Sequence, residues 1–344
     1  MTHLCVLHLA GSADSDLYCD ISRSYAQGCI RATEDSLLYT FVIAYVTPDR
    51  RWRFPDALDR KSIERSISFS FAEAVEILAE RKIDVAVPHM FCVPGMTEYR
   101  ALLSLLNIPY VGERPASMAI AANKPRARAI VAAEGVRVPE GRLIRRKEPF
   151  DAIDLALPVV VKPTDADNSV GISLVKAQAD YAKALAIAFD CADQVLVEQF
   201  VALGREVRCG IVVDAGEMVC LPLKEYRMDA ERRPIRTYDD KLKRNEAGEI
   251  ELAVKEGVHS WAVDLDDPVV PEVWEMARRS HLALGCRHYS LFDFRIDPTG
   301  QCWFIEAALY CSFAPGSVLV AMMNAAGTPL KVFFDKMVRQ ALSE

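Results

Sequence analysis

The chain has 344 residues, 51% of them hydrophobic and 26% charged, with a formal net charge of −7 and a pI near 5.5. At about 100–200 residues per domain, that length makes two or three compact lobes with a sizeable core. An acidic chain with no Lys/Arg stripe and no run of about 18 apolar residues excludes a nucleic-acid partner and a membrane span.

The start "LCVLHLAG" is apolar and ends in a glycine turn, which predicts a buried strand over 3–11. It is short, contains His8 and lacks a basic flank, so no signal peptide is expected. The ten cysteines are scattered without a Cys-x-x-Cys pair. That pattern speaks against zinc and for small core residues of a reduced, cytoplasmic protein. A helix is predicted over 16–33, a strand over 37–47, a helix over 71–82 and a strand with its loop over 83–91. A helix over 97–107 and a short strand over 108–112 follow. Alternating strands and helices imply a parallel α/β lobe, with ligands meeting the loops at the C-terminal strand ends. His89 stands at such an end, either as a substrate contact or as a plain loop residue.

From 114 the chain is alanine-rich and helical, restarting at Lys124–Pro125 with proline in a first turn. A strand entry lies at 137–144. In "LPVVVKPTDADNSVGISLV" (157–175) an apolar run stops at Lys162, breaks into a polar loop with Asp165, Asp167, Asn168, Ser169 and Gly171, and resumes. A helix near 176–190 precedes "QVLVEQFVALGREVRCGIVVDAGEMVCLPL" (194–223), which reads as antiparallel strands with a glycine turn at 215–216. The mixed-charge stretch 227–244 fits a lid or a solvated loop. A helix over 271–285, a hairpin over 288–310 turning at Pro298–Gly300, and one closing helix from 315 complete the chain.

Several charges fall on these predicted strands: Lys162, Glu198, Glu206, Asp293 and Glu306. Charges in half-buried strands are costly unless they are paired or hold a ligand. A lysine with paired carboxylates at strand ends suits a nucleoside triphosphate with Mg²⁺, the lysine holding phosphate oxygens and the carboxylates the hard cation. Unrelated salt bridges would leave the same residues in the sequence. Asp293 and Glu306, 13 positions apart around the turn, fall on neighbouring antiparallel strands. Neither GxxxxGK[ST] nor a GxGxxG after a strand occurs, so any phosphate site is built from two sheets.

The ordered blocks "MAIAANKPRARAI", "VVVKPTDADNSVGISLV", "VLVEQFVALGREV", "YDDKLK" and "FDFRIDPTGQCWFIEAALY", with "LLNIPYVGERPAS" upstream, resemble the D-alanine–D-alanine ligase branch of the ATP-grasp superfamily. The resemblance implies an α/β (α+β) three-lobe ATP-grasp fold. Its lobes would be a parallel α/β N-terminal lobe (1–113), a small central lobe (114–197) and an antiparallel-sheet C-terminal lobe (198–344). It implies an ADP-forming ligase using ATP and Mg²⁺, with Mn²⁺ a possible substitute, and a possible homodimer. Lys124 and Lys162 would hold the phosphates and the adenine side. Glu198, Gln199, Phe200 and Val201 would meet the adenine edge, Glu206 the ribose, and Lys241 the γ-phosphate. Asp293 and Glu306 would bind the metal. Asn168 and Ser169 belong to the loop whose N–H groups would cradle the γ-phosphate. Ser317 matches a serine near the acceptor carboxylate, and Arg295 or Arg100 is a candidate cation of the acceptor cleft should the electrophile be a carboxylate.

The sequence departs from that family in ways that bear on the reaction. Ala308 replaces a metal-ligand asparagine, and Leu291 stands where an arginine stabilises the developing oxyanion. Leu242 replaces the tyrosine after the γ-phosphate lysine, and the loop at 165–171 is acidic. No clear counterpart of the D-alanine-binding glutamate occurs in "GSADSDLYCD". The blocks "LHLAGSADSDLYCDISRSYAQGC" and "MFCVPGMTEYRALL" resemble the ATP-grasp ligases of mycosporine-like amino acid biosynthesis, a secondary pathway. That likeness implies joining serine, threonine, glycine or a similar amino acid to mycosporine-glycine through a phosphorylated enol. Two alternatives stand beside it: a dipeptide-forming or ring-closing carboxylate–amine ligase working through an acyl phosphate, and an ATP-binding protein that has lost catalysis.

Overall fold

The computed structural model describes residues 2–147, 154–165, 169–236, 242–244, 250–252 and 259–344. Its N-terminal part runs β1 (Leu4–Gly11), α1 (Asp16–Thr33), β2 (Tyr39–Val46), β3 (Trp52–Arg53), α2 (Arg60–Arg65), α3 (Phe71–Glu80), β4 (Val85–Pro88), α4 (Val93–Met96) and α5 (Glu98–Leu105). The sheet order is β3-β2-β1-β4. β1 is parallel to both β2 and β4, and the two-residue β3 pairs antiparallel at the edge. The central strands are covered on both faces, which is why they read as continuous apolar runs. The caps are local. Ser15 accepts from the Tyr18 N–H at the start of α1, and Ser70 and Glu73 form a capping box on α3. The short strand expected over 108–112 is only a bridge between Ala86 and Tyr110. Pro109 has no N–H with which to extend the ladder.

Next come α6 (Pro115–Ala121), α7 (Lys124–Ala133), β5 (Gly141–Arg145), β6 (Val159–Pro163), β7 (Ser173–Val175), α8 (Tyr181–Phe189) and β8 (Gln194–Gln199). The sheet β5-β8-β6-β7 is antiparallel throughout and buries its apolar face against α8. The alanine-rich stretch is two helices because Asn123 ends the first and caps the second, accepting from the Arg126 N–H. Both helices pack on the C-terminal sheet rather than the central one: Met118, Ala121, Ala127 and Val131 share a core with Val207, Phe292 and Phe294.

The remaining elements are β9 (Arg205–Asp214), β10 (Glu217–Cys220), β11 (Lys224–Tyr226), β12 (Leu242–Arg244), β13 (Ile250–Leu252), β14 (Ser260–Ala262), α9 (Val270–Ala283), β15 (Tyr289–Ile296), β16 (Cys302–Ala307), α10 (Val318–Ala325) and α11 (Leu330–Ser343). The large sheet is ordered β14-β11-β9-β15-β16, with β10 on β9. The closing helix expected from 315 is two, broken at Gly327 (φ +79°) with Pro329 capping the second. α11 packs against α1 and β4, so Phe333, Phe334 and Met337 share one core with Val6 and Val87 of the first sheet.

The first sheet is also pinned to β15. The buried Glu113 carboxylate accepts backbone N–H bonds from Arg287, His288 and Tyr289 at 2.7, 3.0 and 3.2 Å. The Gly112 N–H donates to His288 Nδ1 at 2.9 Å. At Gly112 (φ +95°) a Cβ would lie 2.6 Å from the Tyr289 hydroxyl, so only glycine fits.

Candidate active site

A cleft enclosing about 680 Å³, its open mouth included, lies between the central and C-terminal sheets. Eleven of the sequence-predicted residues line it: Lys124, Lys162, Ser169, Glu198, Gln199, Phe200, Val201, Glu206, Asp293, Arg295 and Glu306. Lys241 and Asn168 lie outside the described residues.

Each charge has an address set by its strand. Lys162, next to last on β6, and Glu198 on β8 are both nearly fully buried, and the Lys162 ammonium donates to Glu198 Oε1 at 2.5 Å. Alternation puts Glu206 and Arg208 of β9 on the cleft face, while Val207 and Cys209 enter the core. Register then sets Asp293 opposite Arg208, Arg295 opposite Glu206, and Glu306 opposite Asp293. Lys124, buried at the start of α7, lies 3.3 Å from Glu306. Gly171 (φ +73°) lets the chain turn where a Cβ would sit 3.0 Å from both Cys191 and Pro163. Ser169 beside it is also left-handed at φ 62°, an uncommon conformation for serine, and it faces the cleft.

The acids carry internal counter-ions, as the salt-bridge reading anticipated: Glu206 with Arg295 at 2.5 Å and Asp293 with Arg208 at 2.6 Å. These pairs are not scattered. They converge on one cleft with apolar walls from Val160, Ile172, Ile235 and Ile305, a lining that suits a small-molecule ligand. The Arg208 contact is incomplete: Nη2 donates to Asp293 Oδ2 at 2.8 Å, but Nε and Oδ1, 2.6 Å apart, are buried without a hydrogen bond. Burial opposes charge on Arg208, yet Asp293 and the rings of Tyr226 and Tyr310 hold its pKa well above the usual value. The Asp293 oxygen without a hydrogen bond, set against Glu306 on the next strand, is a donor set suited to a hard divalent cation.

Arg295 lines the cleft, where it donates to the Val201 carbonyl at 3.3 Å and lies over the Phe200 ring. Two other expected residues lie elsewhere. The structure does not bring His89 to the cleft. Its ring is buried in the first lobe, 2.9 Å from His8 Nδ1 and near Cys29, because β4 ends beneath α1 and α11 and not at an open edge. Burial, and then Arg100, lowers the His89 pKa to about 3. Ser317 is buried with its hydroxyl donating to the Ser312 carbonyl at 2.5 Å. It precedes α10, whose first residues border a second cavity of about 1250 Å³, its open mouth included. Arg208 and Arg236 were missed as site residues. The signal for Arg208 was present: in "EVRCGIVV" it is two residues from Glu206 and hence on the same strand face.

Two facing antiparallel sheets, each bringing charged pairs to one cleft, are the architecture of the ATP-grasp fold. Comparisons with known proteins agree. The family described as D-ala D-ala ligase C-terminus matches residues 141–339. A D-alanine–D-alanine ligase of Geobacter sulfurreducens is 33% identical over 246 residues, 67% of this chain and 68% of that protein. Among solved structures, the VanG D-Ala:D-Ser ligase of Enterococcus faecalis aligns with a TM-score of 0.80 at 20% identity, over 99% of this chain and 100% of that one. The ATP complex of a Bacillus anthracis D-alanine–D-alanine ligase aligns at 0.74 and 19% identity, over 99% and 98%.

The chain belongs to the D-alanine–D-alanine ligase family. It is an ATP-dependent, ADP-forming C–N ligase acting on small molecules. Among the described residues no helix is long and apolar enough to cross a membrane.

Proposed function

We propose that the chain joins an amino acid to mycosporine-glycine or a closely similar ring enaminone, yielding a disubstituted ultraviolet-absorbing product, ADP and phosphate. The observation that carries this reading is Leu291. It is buried, opposite Gly210 and packed with Leu319 and Met322 of α10, so position 291 offers no donor to a tetrahedral acyl oxyanion. A ring ketone needs none. Its oxygen takes the γ-phosphoryl group of ATP as the enol phosphate; the amine nitrogen adds at that carbon and the C–O bond breaks, releasing phosphate.

Lys162 and Lys124 would hold phosphate oxygens, the 169–172 loop would cover them, and Gln199–Val201 with Glu206 would take the nucleoside. Lys241 would meet the γ-phosphate. Asp293 and Glu306 would hold Mg²⁺, which supplies charge neutralisation at the phosphates; Ala308 removes one ligand from that set. Closure over the phosphates excludes water so that the intermediate survives until the amine attacks. Incubation with ATP, Mg²⁺, mycosporine-glycine and serine should move the absorption maximum to longer wavelength and release ADP. No shift, with ATP demonstrably bound, sinks the assignment.

Arg208 favours a second reading. A guanidinium two register pairs from Leu291, on the same strand face, could serve a carboxylate electrophile, making the product a dipeptide through an acyl phosphate. ADP release across an amino-acid panel without mycosporine-glycine separates the two.

A further inference from the structure

Three charged side chains meet on one face of the central sheet. Glu198 of β8 stands opposite Val160 of β6 on one side and opposite Gly141 of β5 on the other. Lys162, two residues along β6 from Val160, reaches the Glu198 carboxylate from the first side. On the second side the Gln199 N–H donates to the Glu140 carbonyl. Gly141 and Glu198 are therefore the close, non-hydrogen-bonded kind of antiparallel pair, about 4.5 Å between Cα atoms. A side chain at 141 would lie beside that of Glu198. Gly141 has none, and the Arg128 guanidinium takes the place: a Cβ there would lie 2.4 Å from Arg128 Nη1 and 3.0 Å from its Cζ.

Arg128 comes from α7, one turn after Lys124, so one helix brings a cation toward Glu306 and a second toward Glu198. Lys124, Lys162 and Glu198 line the nucleotide cleft; Arg128 does not. Its Nε is buried without a hydrogen bond. Burial lowers its pKa, and the first charge to oppose that is Glu198, ahead of Glu140. Lys162 and Glu198 are buried together 2.5 Å apart, and as a neutral pair they attract a phosphate weakly. A lysine turned toward phosphate would also strand the buried Glu198, a costly outcome unless a second cation stands by. With Arg128 beside the pair, the group of three carries one net positive charge.

We propose that Arg128 is a positioning residue of the nucleotide site: as the second counter-ion of Glu198, it leaves the Lys162 ammonium available to the phosphates of ATP. This assignment rests on the phosphate role given to Lys162 above. It is indifferent to which electrophile and which amine the enzyme joins.

The test measures ATP and adenosine affinities of the full-length protein by calorimetry with Mg²⁺, because only ATP offers phosphates to Lys162. Arg128→Met should lower ATP affinity about 10-fold or more, the scale of a hydrogen bond to a charged group, while adenosine affinity changes less than about threefold. Arg128→Lys should recover part of the loss. Glu198→Gln removes the acid that occupies Lys162. Adding Arg128→Met to it should therefore change the ratio of ATP to adenosine affinity by less than about threefold. That comparison also serves if Arg128→Met alone does not fold. A merely structural Arg128 would lower both affinities together. Equal losses for ATP and adenosine, unchanged ATP affinity in Arg128→Met, or an undiminished effect in the Glu198→Gln background overturns the proposal. Lys162→Met/Glu198→Gln reports separately on Lys162. If it binds ATP as well as Glu198→Gln does, the phosphate role of Lys162 has failed; if it binds weakly and Arg128→Met does not, only the Arg128 assignment has.

Discussion

Two regions of this molecule bury polar side chains, and they differ in what surrounds them. In the first lobe, His8, His89 and Cys29 bring ligand-type atoms within 4.8 Å of one another, but His8 lies edge-on to Phe41 and stacked over Phe334. At the cleft, Lys162, Glu198, Lys124, Glu306 and Asp293 are also buried or half-buried, and they border space large enough for a ligand. Burial of a polar group alone does not mark a site. Ion pairs from two facing sheets that converge on an open volume do.

The comparison breaks most visibly through the acids. Asp293→Ala or Glu306→Ala should lower turnover by about 10³-fold or more in a folded protein, since electrostatic terms at a reacting phosphate are among the largest in catalysis. A fully active Glu306→Ala, measured by ADP release, would put the metal elsewhere. Next is Lys162→Met, which removes the hydrogen-bonded partner of the buried Glu198 and leaves it only the more distant charge of Arg128; it should destabilise by about 3–5 kcal/mol in denaturant melts. The double change with Glu198→Gln should recover most of that loss while ATP affinity stays weak.

Acid should sharpen the contrast from the other side. Burial lowers His89 to about 3 and His281 and His288 to about 4, and pushes His8 well below its ordinary value. A histidine with a depressed folded pKa stabilises fully above its unfolded value of about 6.5, and that contribution fades as pH falls toward the folded one. Stability should therefore drop between pH 6.5 and 4, by roughly 1.4 kcal/mol per unit for each group at most. His89→Gln should flatten that profile and leave turnover at neutral pH within a few-fold of wild type. The smallest effect is expected from Arg279, half-exposed and paired with Glu275 one helical turn away. Arg279→Ala should cost about 0.5 kcal/mol or less, a baseline for the other values.

Much of the cleft was legible because its residues stand on strands, where a charge in an apolar run is conspicuous and alternation fixes its face. Asp293 and Glu306 could be set opposite each other by counting around the 298–300 turn. What depends on which strand lies next to which could not be counted. Arg208 is local to Glu206 in sequence, but its pairing with Asp293 crosses 85 residues. His89 has the right position at the end of a parallel strand, yet α11, some 240 residues later, closes over that end. The 108–112 strand failed for a local reason, the missing N–H of Pro109, and the single closing helix failed at Gly327.

The clasp that Glu113 makes on three successive amides of residues 287–289 has a mechanical consequence. It rivets the first sheet to the same strand that carries Asp293, and α11 adds a second strut. Those two parts therefore form one frame, and the cleft lies between that frame and the separate sheet β5-β8-β6-β7.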